Sequence, residues 1–578
     1  MSKVHEYIQT EINNYETAKV SITGSVDWNM KEHIERCTNV SNGWYSEGKN
    51  DGKRPYKNIV EAIKNVALRS EGFDVKDIVP YVNDVKNHYL SFFVKKYHPQ
   101  WAREHEIDTF IDEMVESSVV YDLALVKNVN EVRPQVVPLQ QIAFCDQTDI
   151  MSGAICIKHQ YTIPQLLEFK DKWNPDKIDE AIIMAEAEKE TQANNRKTKT
   201  PSKYIEVFEL HGTFKKDWLE DDERDEYTPQ MHIVCFYSSN DGEKHGITLY
   251  EGKDKKLEDV FKALVINKVF GRACGKSLIE TLFDPQAIVN YSEIKIMKML
   301  DAVSVILLQT SSDELGNKRI SNLKNNEILK HEDGKPITQI QHSAINMQSF
   351  VNKQIDVEND ARIMGSASDA QLGTNPVSGT PFALQNLIVQ QGQGIHEYRQ
   401  GKIATFMSDV LYKDWILKSM VKEMNAGKDF SEELSVDEMQ FVAERISKRK
   451  TREKMEEMKA NKEIITEEKR DELLEKYKNE VSEGGNRMFF KIVKGELDKI
   501  PIKVFINIKG KQKYMAQNAD KLTNIIREVM RNPQAFSQIP GIGQVFNELL
   551  ENSGLNPIDF NKIVEPKQIQ QPNQINQK

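Results

Sequence analysis

GRACGKS, Gly271 to Ser277, is the stretch whose residue types come nearest to phosphate chemistry. A strand-like run precedes it and a helix-forming run follows, the setting in which G-x-x-x-x-G-K-[ST] cradles nucleotide phosphates with backbone N–H groups. This loop is one residue short, and the position that should be glycine is Phe270. A shortened loop cannot aim the same N–H groups at the phosphates, and no strand-terminal acid offers itself for Mg²⁺. The competing expectation is a helix start in which Gly275 frees the backbone and Ser277 caps.

Other constellations give less. HEID, HEDG and HEYR lack the second histidine of a metalloprotease helix, no G-x-S-x-G elbow occurs, and VSGTP reads as a turn. In WLEDDERDEY the carboxylates are contiguous, whereas a calcium loop interleaves them around a glycine turn, so a solvated hairpin tip is expected. Cys37, Cys145, Cys156, Cys235 and Cys274 are dispersed, odd in number and without a C-x-x-C pair, which predicts buried thiols rather than disulfides or a zinc site. No metal, cofactor or enzymatic activity is expected.

A second stretch is notable for what it omits. Ile363 to His396 reads IMGSASDAQLGTNPVSGTPFALQNLIVQQGQGIH, with Asp369 as its only formal charge, in a chain that is 29% Asp, Glu, Lys and Arg. A window of that length should carry about ten charges. Lys and Arg at repeated sites grip phosphates, whereas Ser, Thr, Asn and Gln offer weak, exchangeable contacts. The segment divides at Thr380. A Gly/Ser/Asn/Pro loop able to move precedes it, and a helix follows with Thr380 as N-cap and Pro381 at its first position.

The whole chain sets bounds on these readings. Its 578 residues predict about three or four structural units. The hydrophobic fraction of 39% and mean hydropathy of -0.58 describe a soluble protein, and no run approaches the roughly 18 apolar residues of a membrane helix. MSKVHEYIQTEINNYETAK has no apolar core after Lys3, so no secretory leader is expected. A formal charge of -10 and a pI near 5.8 argue against tight DNA binding over the whole surface.

The elements that must position these stretches make an α+β chain. Helical spacing runs through KNIVEAIKNVALRSEGF and DIVPYVNDVKNHYLSFFVKKYH, and extended runs follow in SSVVYDLALVKNV, VRPQVVPLQQIAFC, GAICIKHQYTI, YIEVFELHGTF and HIVCFYS. Ser277 and Glu280 have capping-box spacing, and Asp284-Pro285 starts a longer helix to about Val303, apolar on more than one side. Short strand-like pieces fill Ser304 to Ala344. Helical spacing returns from Asn346 to Met364 through Phe350, Val351 and Ile355. From Pro381, apolar residues including Ile395, Ile403 and Phe406 carry one helix toward Lys418, with a bend expected at Gly392 and Gly394. Glu438 to Glu483 predicts solvated helices, MFFKIVKGELDKIPIKVFINIKG two strands, ADKLTNIIREVM and GIGQVFNELLENSG two short helices, and EPKQIQQPNQINQK a disordered tail.

That order, with GKSLIETLFDPQAIVNYSEIKIMKMLDAV as the outgoing helix and GTNPVSGTPFALQNLIVQQG as the loop entering a long helix, resembles the portal proteins of tailed bacteriophages, most of all those of crAss-like phages. The resemblance covers about Val265 to Ser553. It implies a portal-like protomer: residues 1–270 a wing, 271–303 and 345–364 the stem helices, and 304–344 an α/β clip. Residues 365–380 become a tunnel loop, 381–420 the long helix behind it, 421–510 a wing continuation, 511–563 a helical crown and 564–578 a disordered tail.

Carried over, Ser366, Ser368, Gln371, Thr374, Asn375 and Ser378 would face DNA in a channel. Lys295 and Lys298 would face either the channel or a neighbouring subunit, and Lys318, Arg319, Lys324 and Lys330 would meet partners at the clip. The implied partners are further copies in a ring, commonly of twelve, double-stranded DNA, a terminase motor, the major capsid protein and tail or connector adaptor proteins, with no membrane and no cofactor. The implied place is a capsid vertex of the virion, after assembly in the host cytoplasm. Two rival expectations are a soluble scaffolding or adaptor protein without a channel and an ATPase using Gly271 to Ser277.

Overall fold

The structure, a computed structural model, describes residues 3–21, 27–43, 57–82, 91–129, 133–193, 204–219, 226–238, 244–304, 307–309, 338–340, 345–367, 372, 382–426, 447–448, 450–455, 457–458, 466–483 and 502–506. The chain divides after Ile506 into two units, and every described residue lies in the first. The crown and tail expected over 511–563 and 564–578 lie outside the described residues, as do the strand expected from Met488 and the interior of the clip. What is described mixes helix and strand, in agreement with an α+β chain.

Among the described residues, the first part of the chain runs α1 (Lys3–Thr17), β1 (Val20–Ser21), β2 (Asp27–Trp28), α2 (Met30–Ser41), α3 (Val60–Glu71), β3 (Ile78–Val82), α4 (Ser91–Glu104), α5 (Ile107–Tyr121), β4 (Ala124–Asn128), β5 (Pro134–Val137), β6 (Ile142–Phe144) and β7 (Ile155–Thr162). It continues through α6 (Ile163–Leu167), α7 (Pro175–Ala193), β8 (Tyr204–Lys215), β9 (Tyr227–Ser238), β10 (Lys244–Lys253), α8 (Leu257–Val260) and β11 (Phe261–Leu264). Five strands form an antiparallel sheet in the order β10-β9-β8-β7-β6, and β11-β4-β5 form a second. The alternation that marks β8 sends Phe208 and Leu210 into the main core with α1 and α2, and Ile205 and Val207 into a smaller core under α6 and α7. The acidic run occupies the connection of the β8–β9 hairpin, whose last described pair is Lys215↔Tyr227.

Two expectations change. Ile78–Val82, read as helical, is a strand because Ile502–Ile506 (β14) pairs with it, from Ile502↔Val82 to Ile506↔Ile78. Pro80 is tolerated there because the two-stranded ladder leaves each strand a free edge. Ser117 to Tyr121, read as extended, ends α5. Ile107, Phe110, Ile111, Met114 and Val115 recur at helical spacing on its buried face, and that packing overrides the β-branched run that follows.

The second part runs α9 (Leu278–Thr281), α10 (Phe283–Ser304), β12 (Leu307–Gln309), β13 (Thr338–Ile340), α11 (Ile345–Met364) and α12 (Phe382–Phe406). Helix α12 passes into a π-helical segment, Met407–Ile416, and on into α13 (Leu417–Ala426). α-Helical hydrogen bonding runs through Gly392 and Gly394 without interruption, and the departure from α geometry falls at Met407 instead. There Tyr412 is fully buried with its hydroxyl 2.8 Å from His98 Nε2 of α4. Helix α14 (Glu467–Glu483) is mostly exposed along its described side chains, as solvated helices should be.

Candidate functional site

The outgoing helix is fixed at its root before it leaves the body. Ser277 Oγ accepts the Glu280 N–H at 3.0 Å, so the cap forms, but the Glu280 carboxylate pairs with Arg272 at 3.0 and 2.7 Å instead of returning to Ser277. Helix α10 then begins at Phe283, two residues before the expected Pro285. Buried Gln286 accepts the Ile59 N–H at 3.1 Å and donates to the Lys57 carbonyl at 2.7 Å, which ties α10 to the chain entering α3.

Helices α10 and α11 pack along each other as an antiparallel hairpin. Leu307↔Ile340 closes the ladder of β12 with β13 at the far end, and Gln354 donates to Glu293 at 3.0 Å. The hairpin leaves large apolar residues in solvent: Ile288, Tyr291, Met297 and Leu300 on α10, and Ile355, Ile363 and Met364 on α11. Lys295 is half-buried with its Nζ 5.3 Å from the centre of the Tyr291 ring, and Lys298 is exposed.

The start of the neutral segment is pinned. The Ala367 N–H reaches the Arg362 carbonyl at 2.9 Å and the Ser366 N–H the Ile363 carbonyl at 3.1 Å, a Schellman closure of α11 with Ser366 at the left-handed position, φ 51°. Gly365 is required because an added Cβ would lie 2.2 Å from Ile63 Cγ2 of α3. Ala367 is buried, and Leu372 packs against the main core. Of the six residues expected to face DNA, only Ser366 lies among the described residues; Ser368, Gln371, Thr374, Asn375 and Ser378 lie outside them, as do Lys318, Arg319, Lys324 and Lys330. Glycine has no Cβ penalty at the left-handed position, so Ser366→Gly should raise stability by about 0.5–1 kcal/mol in urea denaturation. A lower midpoint would count against the assigned cap.

Later in the chain, helix α12 is held by buried charges. Arg399 Nε donates to both Glu71 oxygens at 2.9 Å, Nη1 to Asp122 Oδ1 at 2.9 Å, and Nη2 to the Ser118 carbonyl at 2.9 Å. His396 Nδ1 lies 3.0 Å from Glu71 Oε1, and Gln400 donates to the Gly72 carbonyl at 2.9 Å. Asp122, the left-handed C-cap of α5, also accepts the Asn267 N–H at 2.6 Å. Burial lifts its carboxyl to about 6, against the pull of Arg399 and Asn267. Glu71 and Asp122 close α3 and α5, so one guanidinium joins three helices. A scan of protein-family models matches none to this chain, and a search of curated proteins matches none either.

The same carboxylate explains the near-phosphate loop. A Cβ at Gly275 would lie 1.9 Å from Asp122 Oδ2, so glycine there makes room for a buried anion of the protein itself. Lys276 N–H returns to the Asn267 carbonyl at 2.9 Å, and Ser277 is taken by its cap. Gly275 and Ser277 are thereby accounted for by contacts within the protein. ATP hydrolysis abolished by Lys276→Ala would restore the ATPase reading.

Sequence reasoning missed the clamp and a second buried set between the two sheets. Glu209 of β8 meets Lys127 of β4 at 2.5 Å, His159 of β7 at 2.8 Å and His211 at 3.1 Å, and His211 Nδ1 lies 2.6 Å from Asp254. Both ring nitrogens of His211 face carboxylates, which favours the doubly protonated ring. Burial alone would lower His211, but the hydrogen bonds to Asp254 and Glu209 outweigh it and hold it above its ordinary value. Among the described residues no group of His, Cys, Asp and Glu side chains is arranged to hold a metal ion.

Proposed function

We propose that this chain is the portal protomer of a tailed phage: one unit of a cyclic ring at a capsid vertex, through whose channel a terminase motor packages DNA and tail proteins later receive it. The observation that carries this reading is where the exposed apolar residues lie. Of fifteen large hydrophobic residues exposed among the described residues, nine belong to α10, α11 and α12. In so charged a chain, apolar residues concentrated on a few helices mark a surface to be covered. No helix among the described residues is long and apolar enough to cross a membrane. A ring, in which each copy contacts neighbours on two sides, provides such cover.

The neutral segment supports the same reading, because it joins the hairpin to α12 and offers phosphates only weak contacts. In this reading the clip lysines and arginine meet motor and tail proteins, and the chain itself needs no catalysis. Negative-stain microscopy of the purified protein should show rings with a central hole. Their absence would leave the adaptor reading in place. The double variant Gln371→Arg with Asn375→Arg should form rings yet package less DNA, since added cations would hold the passing phosphates; unchanged packaged DNA and infectivity would remove the loop from the channel wall.

A further inference from the structure

Helix α12 carries three polar residues inward. Its described buried side chains are His396, Arg399, Gln400, Ile403, Ala404 and Phe406, while Ile395, Tyr398 and Lys402 are exposed on an adjacent stripe, with Glu397 and Thr405 exposed to its side. A helix on a protein surface ordinarily does the reverse. The clamp accounts for this: Glu71 and Asp122 draw Arg399 inward, and the helical repeat then turns Ile395 and Tyr398, expected from their type on the core side, out into solvent.

The exposed face has a definite character. Lys402 Nζ stands 5.6 Å from the centre of the Tyr398 ring, which makes an apolar strip edged by a cation. Exposed Lys353 stands one turn before Asp356 on helix α11, and beyond it the helix shows the complement, with Ile355 and Ile363 exposed beside exposed Asp356 and Asp360. At 3.6 residues per turn these four fall within less than half the circumference of α11.

We propose that the Ile395, Tyr398 and Lys402 face of α12 docks on the Ile355, Asp356, Asp360 and Ile363 face of α11 in a second copy of this chain. Each protomer offers one lysine-edged and one acid-edged apolar face, two different surfaces rather than one self-complementary patch. Such a contact is heterologous and repeats from copy to copy until the ring closes. Burial of the apolar residues supplies the attraction, and the charges fix which face meets which. The inference rests on the ring reading above and names the contact that holds it.

The test uses the full-length chain. Tyr398→Glu with Lys402→Glu leaves the clamp intact and should keep the monomer's melting temperature, while raising the concentration needed for assembly by about tenfold or more in sedimentation velocity. Adding Asp356→Lys and Asp360→Lys exchanges the charges and should recover rings. Should the double variant lose its fold, Lys402→Glu alone, at an exposed position, with Asp360→Lys as its rescue, asks the same question. Assembly at the wild-type concentration overturns the inference, and so does lost assembly that the exchange leaves unrecovered. Wild-type protein that forms no rings overturns the ring reading itself.

Discussion

Replacement of Arg399 by alanine should lower the stability of the fold by about 3–5 kcal/mol at neutral pH, because it strands two buried carboxylates. Glu71 is 0% exposed and Asp122 is 0% exposed, and four hydrogen bonds from the one guanidinium hold them with the Ser118 carbonyl. Without Arg399, the burial that already lifts Asp122 to about 6 loses its main opponent. At this site the native variant then holds protons more tightly than the unfolded chain does, so the penalty from the stranded carboxylates shrinks as pH falls. The deficit against wild type should therefore narrow between pH 7.5 and pH 5 in denaturant titrations. Arg399→Lys should rescue little, since a single ammonium cannot span two carboxylates and a carbonyl. A deficit under about 1 kcal/mol would mean that the clamp adds nothing beyond packing.

Glu209→Gln should cost about 3 kcal/mol, because Lys127 and His211 then face an amide in a buried site. Its pH dependence separates it from the first variant. In the wild type, burial would raise Glu209 and Asp254, but their hydrogen bonds to His159 and His211 hold both below the ordinary values of 4.5 and 3.8. Their contribution is present above those values and lost as pH falls through the depressed ones. His211 is held above its ordinary 6.5. Its contribution is complete below 6.5 and lost as pH rises through the raised value. The contribution of this buried set should accordingly be flat between about pH 4.5 and 6.5 and decline on the alkaline side, so it is read as the difference between variant and wild type. In Glu209→Gln, His211 keeps only Asp254, so the alkaline decline should begin at lower pH. Identical profiles for variant and wild type would dissolve the link between His211 and Glu209.

Local signals were readable and distant ones were not. β7 and β8 announce themselves as runs rich in β-branched and aromatic residues, and Ser277 marks the root of α10 by its cap spacing, which needs no knowledge of the rest of the chain. β3 was misread because its strand character comes from β14, more than four hundred residues away. The clamp was hidden for the same reason: Glu71, Asp122 and Arg399 have no telling spacing, and only their meeting makes them a site. One signal was available on α12, where His396, Arg399 and Gln400 share a helical stripe with Ile403. Residue type argued for Ile395 as a core residue, and the clamp decided otherwise. Gly365 looked like the start of a loop, whereas its smallness answers to Ile63.

The pairing of β3 with β14 also sets a timetable. At the usual 5–20 residues per second of synthesis, Ile502 leaves the ribosome roughly 20–80 s after Val82. Throughout that interval the backbone of Ile78–Val82 lacks its partner strand, so a nascent chain carries an open edge beside finished neighbours. The β3 ladder is completed only after the hairpin and the long helix have been made.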